Sequence, residues 1–260
     1  MVKISRRKIE PTPEEVVRGD YFYPKTVEPF KTNAQISPES YALVQEGDEA
    51  NVAISMAQQF NNLSFFPMLK EASKTDGVLS TPRRFMRNLA NVNSARRNGG
   101  AIYDALGNLI EKERLIRYTD TLNHHCWAYL NGRFPQEKIK GKGFGGLDFV
   151  TVGADGNELR APLETCLDET CYVEIASINS QGFPTEKASV QKYKPGETVY
   201  FHPPVLRTDN PEEGFVARFV ADSGGAFLNC DGDPTFSNLS LGGFPCAEEG
   251  ALPEKSQEDK

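Results

Sequence analysis

The chain has 260 residues, with 29 Lys+Arg against 36 Asp+Glu and 38% hydrophobic residues, which suits a globular protein with one large core or two modest ones. That composition excludes a disordered chain, and no apolar run approaches the roughly 18 residues that cross a bilayer. Residues 1–8 are basic but lead into Glu10 and Pro11 rather than an apolar segment, so the expectation is no secretory leader, no membrane and a cytoplasmic location.

Residues 19–24 and 51–57 alternate in polarity and read as strands with one buried face, although the second also fits a short helix. Ser80 or Thr81 as N-cap, Pro82 in the first turn and Gly99-Gly100 as a stop predict a helix over 82–98. Phe85, Met86 and Leu89 form its apolar side. Arg84, Asn88 and Asn91 follow i, i+4, i+7 along one polar stripe, flanked by Arg83 and Arg87. Gly107-Asn108 predicts a hairpin turn between strands at 101–106 and 109–118, and Asp155-Gly156 another between 147–152 and 158–163. Further strands are expected at 171–178, with Val173 and Ile175 inward and Glu174 outward, and at 198–201 and 215–220. With 22 glycines and 17 prolines between short elements, the expectation is a loop-rich, strand-rich α+β fold without a fixed repeat.

The net charge of −7 is unevenly distributed. No acidic residue lies between Asp76 and Asp104, and that stretch carries Arg83, Arg84, Arg87, Arg96 and Arg97. Lys138, Lys140 and Lys142 stand at alternate positions, with four glycines around Phe144, where backbone can approach a phosphate closely. Glu248, Glu249, Glu254, Glu258 and Asp259 fall in a tail, 247–260, expected to be acidic and disordered.

A helix that presents Arg with Asn offers charge to phosphates and amides to base edges or 2′-hydroxyls, as a single-stranded RNA groove requires. The same residues also fit a solvated basic helix face, and the lysine segment also fits a surface loop. His124-His125-Cys126 with Cys166 and Cys171 is a poor metal set, because adjacent histidines diverge and the cysteine spacing is not that of a zinc knuckle. The odd count of five cysteines suits a reducing compartment without disulfides. There is no Gly-x-Ser-x-Gly elbow and no Walker phosphate loop. No metal and no cofactor are expected.

Three segments stand out together: Arg7-Lys8-Ile9-Glu10-Pro11-Thr12; Arg84-Phe85 with Asn88-Leu89-Ala90-Asn91 and Arg97-Asn98; and Val173-Glu174-Ile175 with Gly182-Phe183-Pro184-Thr185-Glu186. In this order they resemble the backbone subunit of the type I-F CRISPR surveillance (Csy) complex, the Cas-seven family of RAMP proteins. The chain departs from the family in having Ser94-Ala95-Arg96 where members carry a large apolar and aromatic triplet. It is also shorter, and residues beyond about 190 find no counterpart.

The resemblance implies a single elongated, hand-shaped domain over 1–246, with an RRM-like (ferredoxin-like) βαββαβ palm, thumb-like insertions and 101–165 as one insertion. It implies a guide-RNA (crRNA)-binding subunit without catalysis. Its partners would be crRNA, further copies of itself, other CRISPR effector subunits and, through the guide, target DNA. The RNA contacts it implies are Arg83, Arg84, Arg87, Asn88, Asn91, Arg97 and Asn98, then Lys138, Lys140 and Lys142, with Thr185 and Lys187 from the third segment. Its shortness leaves a second reading, an anti-CRISPR decoy that joins such a complex and stalls it. The reading from another class is a metal-dependent enzyme built on His124, His125 and a cysteine.

Overall fold

Thr81 starts the long helix: its Oγ1 accepts from the Arg84 backbone N–H at 3.3 Å, with Pro82 in the first position. Gly99, at φ 72°, ends it as a left-handed cap. The computed structural model describes residues 38–46, 50–74, 77–135, 147–153, 155–204 and 214–248, and there this segment is the second of three α-helices. The helices are α1 (Phe65–Ser73), α2 (Pro82–Asn98) and α3 (Lys112–His124). The first six strands are β1 (Tyr41–Glu46), β2 (Ala50–Ser55), β3 (Val78–Leu79), β4 (Cys126–Phe134), β5 (Asp148–Val152) and β6 (Glu158–Pro162). They are followed by β7 (Cys171–Glu174), β8 (Thr198–His202), β9 (Phe215–Asp222), β10 (Gly225–Gly232), β11 (Gly242–Gly243) and β12 (Pro245–Glu248).

The strands form two sheets. The smaller has order β1-β2-β12-β3, and the larger β6-β5-β4-β9-β10-β8-β7, with β11 added parallel to β4. The larger sheet is mixed, because β10 runs parallel to β8 while its other pairs on that path are antiparallel. The fold is thus α+β and strand-rich, and every described helix precedes β4.

Alternation along the central strands buries Ala217, Phe219 and Ala221 of β9, and Leu228 and Cys230 of β10, beneath α2 and α3. Phe85 of α2 meets Phe219 of the larger sheet at a centroid distance of 4.8 Å and Phe244 at 5.4 Å. One apolar core therefore runs from α2 into both sheets. Helix α1 covers part of the opposite face, where Phe65 packs edge-on against Tyr129 at 5.6 Å.

Three expectations need correction. Residues 112–118, expected as part of a strand, lie in α3, whose buried Leu115, Tyr118, Thr119 and Leu122 repeat at i, i+3, i+4, i+7. The expected tail at 247–260 begins too early, since Ala247 and Glu248 pair with Ala53 and Val52 of β2. Residues 101–165, expected as an insertion, supply α3 and β4 to β6, and β4 lies between β5 and β9. The expected strand at 19–24, the block at 7–12 and the rest of the tail lie outside the described residues.

Candidate nucleic-acid interface

The polar stripe of α2 is divided by α3. Asn88 is fully buried, and its Nδ2 donates to Tyr118 Oη at 2.6 Å. Burial raises the Tyr118 hydroxyl far above its ordinary range, so it stays protonated as a partner for that amide. Arg83 is half-buried and donates from Nη1 to the Ser180 carbonyl at 3.2 Å. Arg84 is half-buried beside Cys246, with Nη1 3.5 Å from Sγ, and Arg87 is half-buried as well. Arg96 bonds Thr119 Oγ1 at 2.9 Å and pairs with Asp120. Asn88 thus packs against α3 and Arg84 against β12, so this part of the stripe serves packing within the fold.

The last turn is different. Arg97 and Asn98 are exposed at the lip of a cleft of about 330 Å³, formed between the end of α2, the end of β7 and the turn at Gly196. Arg97 Nη1 donates to the Gly196 carbonyl at 3.0 Å and lies 3.8 Å from a Glu197 carboxylate oxygen. Asn98 Nδ2 donates to Ser94 Oγ at 3.2 Å. Gly196 has φ 71°, and a Cβ there would sit 2.2 Å from Asn93 Oδ1, so only glycine lets the turn close against α2. Asn91 is 3% exposed and lines this cleft. Glu174, from the outward side of β7, lines the cleft too.

The loop after β7 closes on the other end of α2. Gly182, at φ 96°, lies so near that a Cβ would come 2.1 Å from the Arg83 nitrogen. Phe183 beside it is fully buried between Phe134 and Phe149, at centroid distances of 5.5 and 5.1 Å. Thr185 and Lys187 are exposed on that loop, and Lys187 Nζ pairs with Glu169 at 2.7 Å. The hydrogen bond to Glu169 raises the Lys187 pKa. Lys138, Lys140 and Lys142 lie outside the described residues. The second and third motif segments, about 80 residues apart in sequence, thus meet at both ends of one helix.

The outer face of the larger sheet was not anticipated. Register places Tyr172, Tyr200 and Phe227 side by side on β7, β8 and β10, with adjacent ring centroids 4.8 and 6.1 Å apart and His202 5.2 Å from Tyr200. Arg218 and Asn229, partners across β9 and β10, continue this face. Arg218 holds its guanidinium 5.9 Å from the Phe236 ring centre and makes no ion pair among the described residues. The alternation of half-buried Phe227, Asn229 and Asp231 with buried Leu228 and Cys230 was the available signal. Such a face can stack planar groups.

His124 and His125 diverge, with ring centroids 6.4 Å apart, and no group of three His, Cys, Asp or Glu comes together among the described residues. Cys126 is fully buried, and burial pushes its thiol far above the usual range, which removes thiolate character.

No protein-family model, no curated protein and no solved structure matches the chain. Among the described residues, no helix is long and apolar enough to cross a membrane.

Proposed function

We propose that the chain is a guide-RNA-binding, self-associating backbone subunit of a CRISPR type I surveillance complex. It acts in the cytoplasm and leaves catalysis to other components. The observation that supports this reading is the meeting of the motif segments: Arg97-Asn98 shares a cleft with Glu174-Ile175, and Gly182 packs on the start of α2 beside Arg83. Residues so distant in sequence come together around the helix that the resemblance assigns to the guide.

On this reading the RNA runs past the exposed end of α2. Arg97 exchanges its pair with half-exposed Glu197 for a phosphate, an exchange that costs little because exposed pairs are worth only about 0.2–1 kcal/mol. Asn88 supports the helix from within. The palm corresponds to the larger sheet, although no helix follows β4 among the described residues, so its connectivity departs from a βαββαβ order. The stacking face on that sheet is a second surface suited to single strands.

Binding to single-stranded RNA, measured by fluorescence anisotropy across a salt series, tests the proposal. The affinity should fall with a log–log slope of about −0.7 per phosphate neutralised. An absence of binding at low salt, alone and with partner subunits, overturns it.

A further inference from the structure

Strand register lays two rows of side chains across the outer face of the larger sheet. Trp127, Val220, Phe227, Tyr200 and Tyr172 are successive cross-strand partners on β4, β9, β10, β8 and β7, and all five are half-buried. This ring row spans four strand spacings, about 19 Å. Two residues further along each strand, Arg218, Asn229 and His202 are partners on β9, β10 and β8 and form a donor row.

The donor row contains a cation held without a carboxylate. Arg218 passes over Gly232, where a Cβ would come 2.5 Å from its Nε, and its guanidinium is set against the Phe236 ring. Arg218 Nε and Asn229 Oδ1 are buried with no hydrogen-bond partner among the described residues, an uncommon state for polar atoms. Asp222, two residues past Val220, and Glu174, two past Tyr172, lie on the opposite side of the ring row. On the donor side, Asp231 falls in the bulge between Asn229 and Gly232, and Asp233 Oδ1 accepts from the Thr235 N–H and Oγ at 2.8 and 2.7 Å.

We infer that one stretch of single-stranded RNA crosses this face at right angles to the β-strands, with its bases on the ring row and a phosphate on Arg218. The inference deepens the RNA reading and rests on it for the ligand. What it adds is the path, the orientation and the phosphate-binding residue. Stacking accepts any base and does not say which side of the rings the backbone takes. Charge does: Asp222 and Glu174 repel phosphates and Arg218 attracts them, so the backbone lies over the donor row. Phe236 and Gly232 fix the guanidinium before the strand arrives, so little side-chain freedom is lost on binding the anion. Asn229 and His202 supply further polar contacts to sugar or phosphate along the same row. A neutral glycan would use the rings but not the cation.

Fluorescence anisotropy on twelve uridines across a salt series separates the two rows. Arg218→Gln should weaken binding at low salt and reduce the log–log slope by about 0.7, the share of one phosphate. Arg218→Lys should restore the slope, because the charge returns. Tyr172→Ala should weaken binding about tenfold with the slope unchanged, since stacking releases no counterions. A full slope in Arg218→Gln, or a slope that falls equally in Tyr172→Ala, overturns the inference. Excess cellohexaose should leave the RNA bound, and displacement of the RNA by it assigns the face to a neutral glycan instead. Without RNA, Tyr172→Ala should self-associate as the wild type does. Lost association with unchanged RNA affinity assigns the face to a second copy and overturns the inference.

The two readings fail differently. Wild-type binding with a full slope in Arg218→Gln and a reduced one in Arg97→Ala removes the sheet path and leaves the RNA reading standing. A wild type that binds no RNA at low salt overturns both.

Discussion

Asn93 of α2 and Asn123 of α3 form a reciprocal amide pair in the core. Asn123 Nδ2 donates to Asn93 Oδ1 at 2.7 Å, and Asn93 Nδ2 reaches Asn123 Oδ1 at 3.4 Å while donating to the Leu89 carbonyl at 2.8 Å. Each residue is 4% exposed, so neither amide has water to fall back on. The pair sets how the two helices meet.

Asn93→Ala should cost about 1–3 kcal/mol, the penalty for leaving Asn123 unsatisfied. Asn123→Ala should cost a similar amount. The double variant should lose clearly less than the two single losses added together, because the second truncation strands no partner. Urea denaturation midpoints for the four proteins provide the check.

Two glycines give an internal control. Gly99 and Gly182 both have positive φ, yet a Cβ at Gly99 meets nothing within 4 Å, whereas at Gly182 it would come 2.1 Å from the backbone of Arg83. Gly99→Ala should therefore cost only left-handed strain, about 1 kcal/mol. Gly182→Ala should cost more than about 3 kcal/mol, since strain is joined by a displaced loop. Equal losses of Tm would contradict the packing of that loop on α2.

Stability should decline on the alkaline side. Burial, with a smaller contribution from the Asp168 carboxylate, pushes the Cys166 thiol from 9.0 up to about 11. Burial likewise pushes Tyr193 from 10.0 to about 12. A group whose folded pKa is raised resists ionisation only while folded. Its contribution is fully present below the unfolded pKa and is lost as pH rises through the folded value. Tm should fall progressively from about pH 9 to 11, and Cys166→Ala should flatten the first part of that decline.

Legibility followed the range of the signal. Thr81, Pro82 and Gly99 carry the ends of α2 locally, and the expected 82–98 matches Pro82–Asn98. Asp155-Gly156 marks the β5–β6 hairpin in the same way, with Gly156 at φ 78°. Helix α1 was hidden by Pro67 near its start, and α3 by Leu109 and the hairpin-like Gly107-Asn108 before it. The site is a long-range matter. The 3.6-residue period grouped Arg84, Asn88 and Asn91, but which of them reach solvent depends on where α3 crosses. No local pattern brings Glu174 or Gly196 to the end of α2.

If the outer sheet face stacks bases, Tyr200→Ala and Phe227→Ala should each weaken single-stranded RNA binding by about 1–3 kcal/mol. Leu159→Ala, on exposed β6, should change nothing. Anisotropy titrations at constant salt provide the measurement. Unchanged affinity in both aromatic variants would remove this face from the RNA path.

Mass measured across a ladder of single-stranded RNA lengths tests the central claim most directly. A head-to-tail contact that does not close on itself adds copies along a strand. The account predicts that the number of bound chains rises in steps, by a constant increment of nucleotides per added copy. One copy at every length would contradict it in favour of the decoy reading, and no bound copy at any length would contradict the RNA reading altogether.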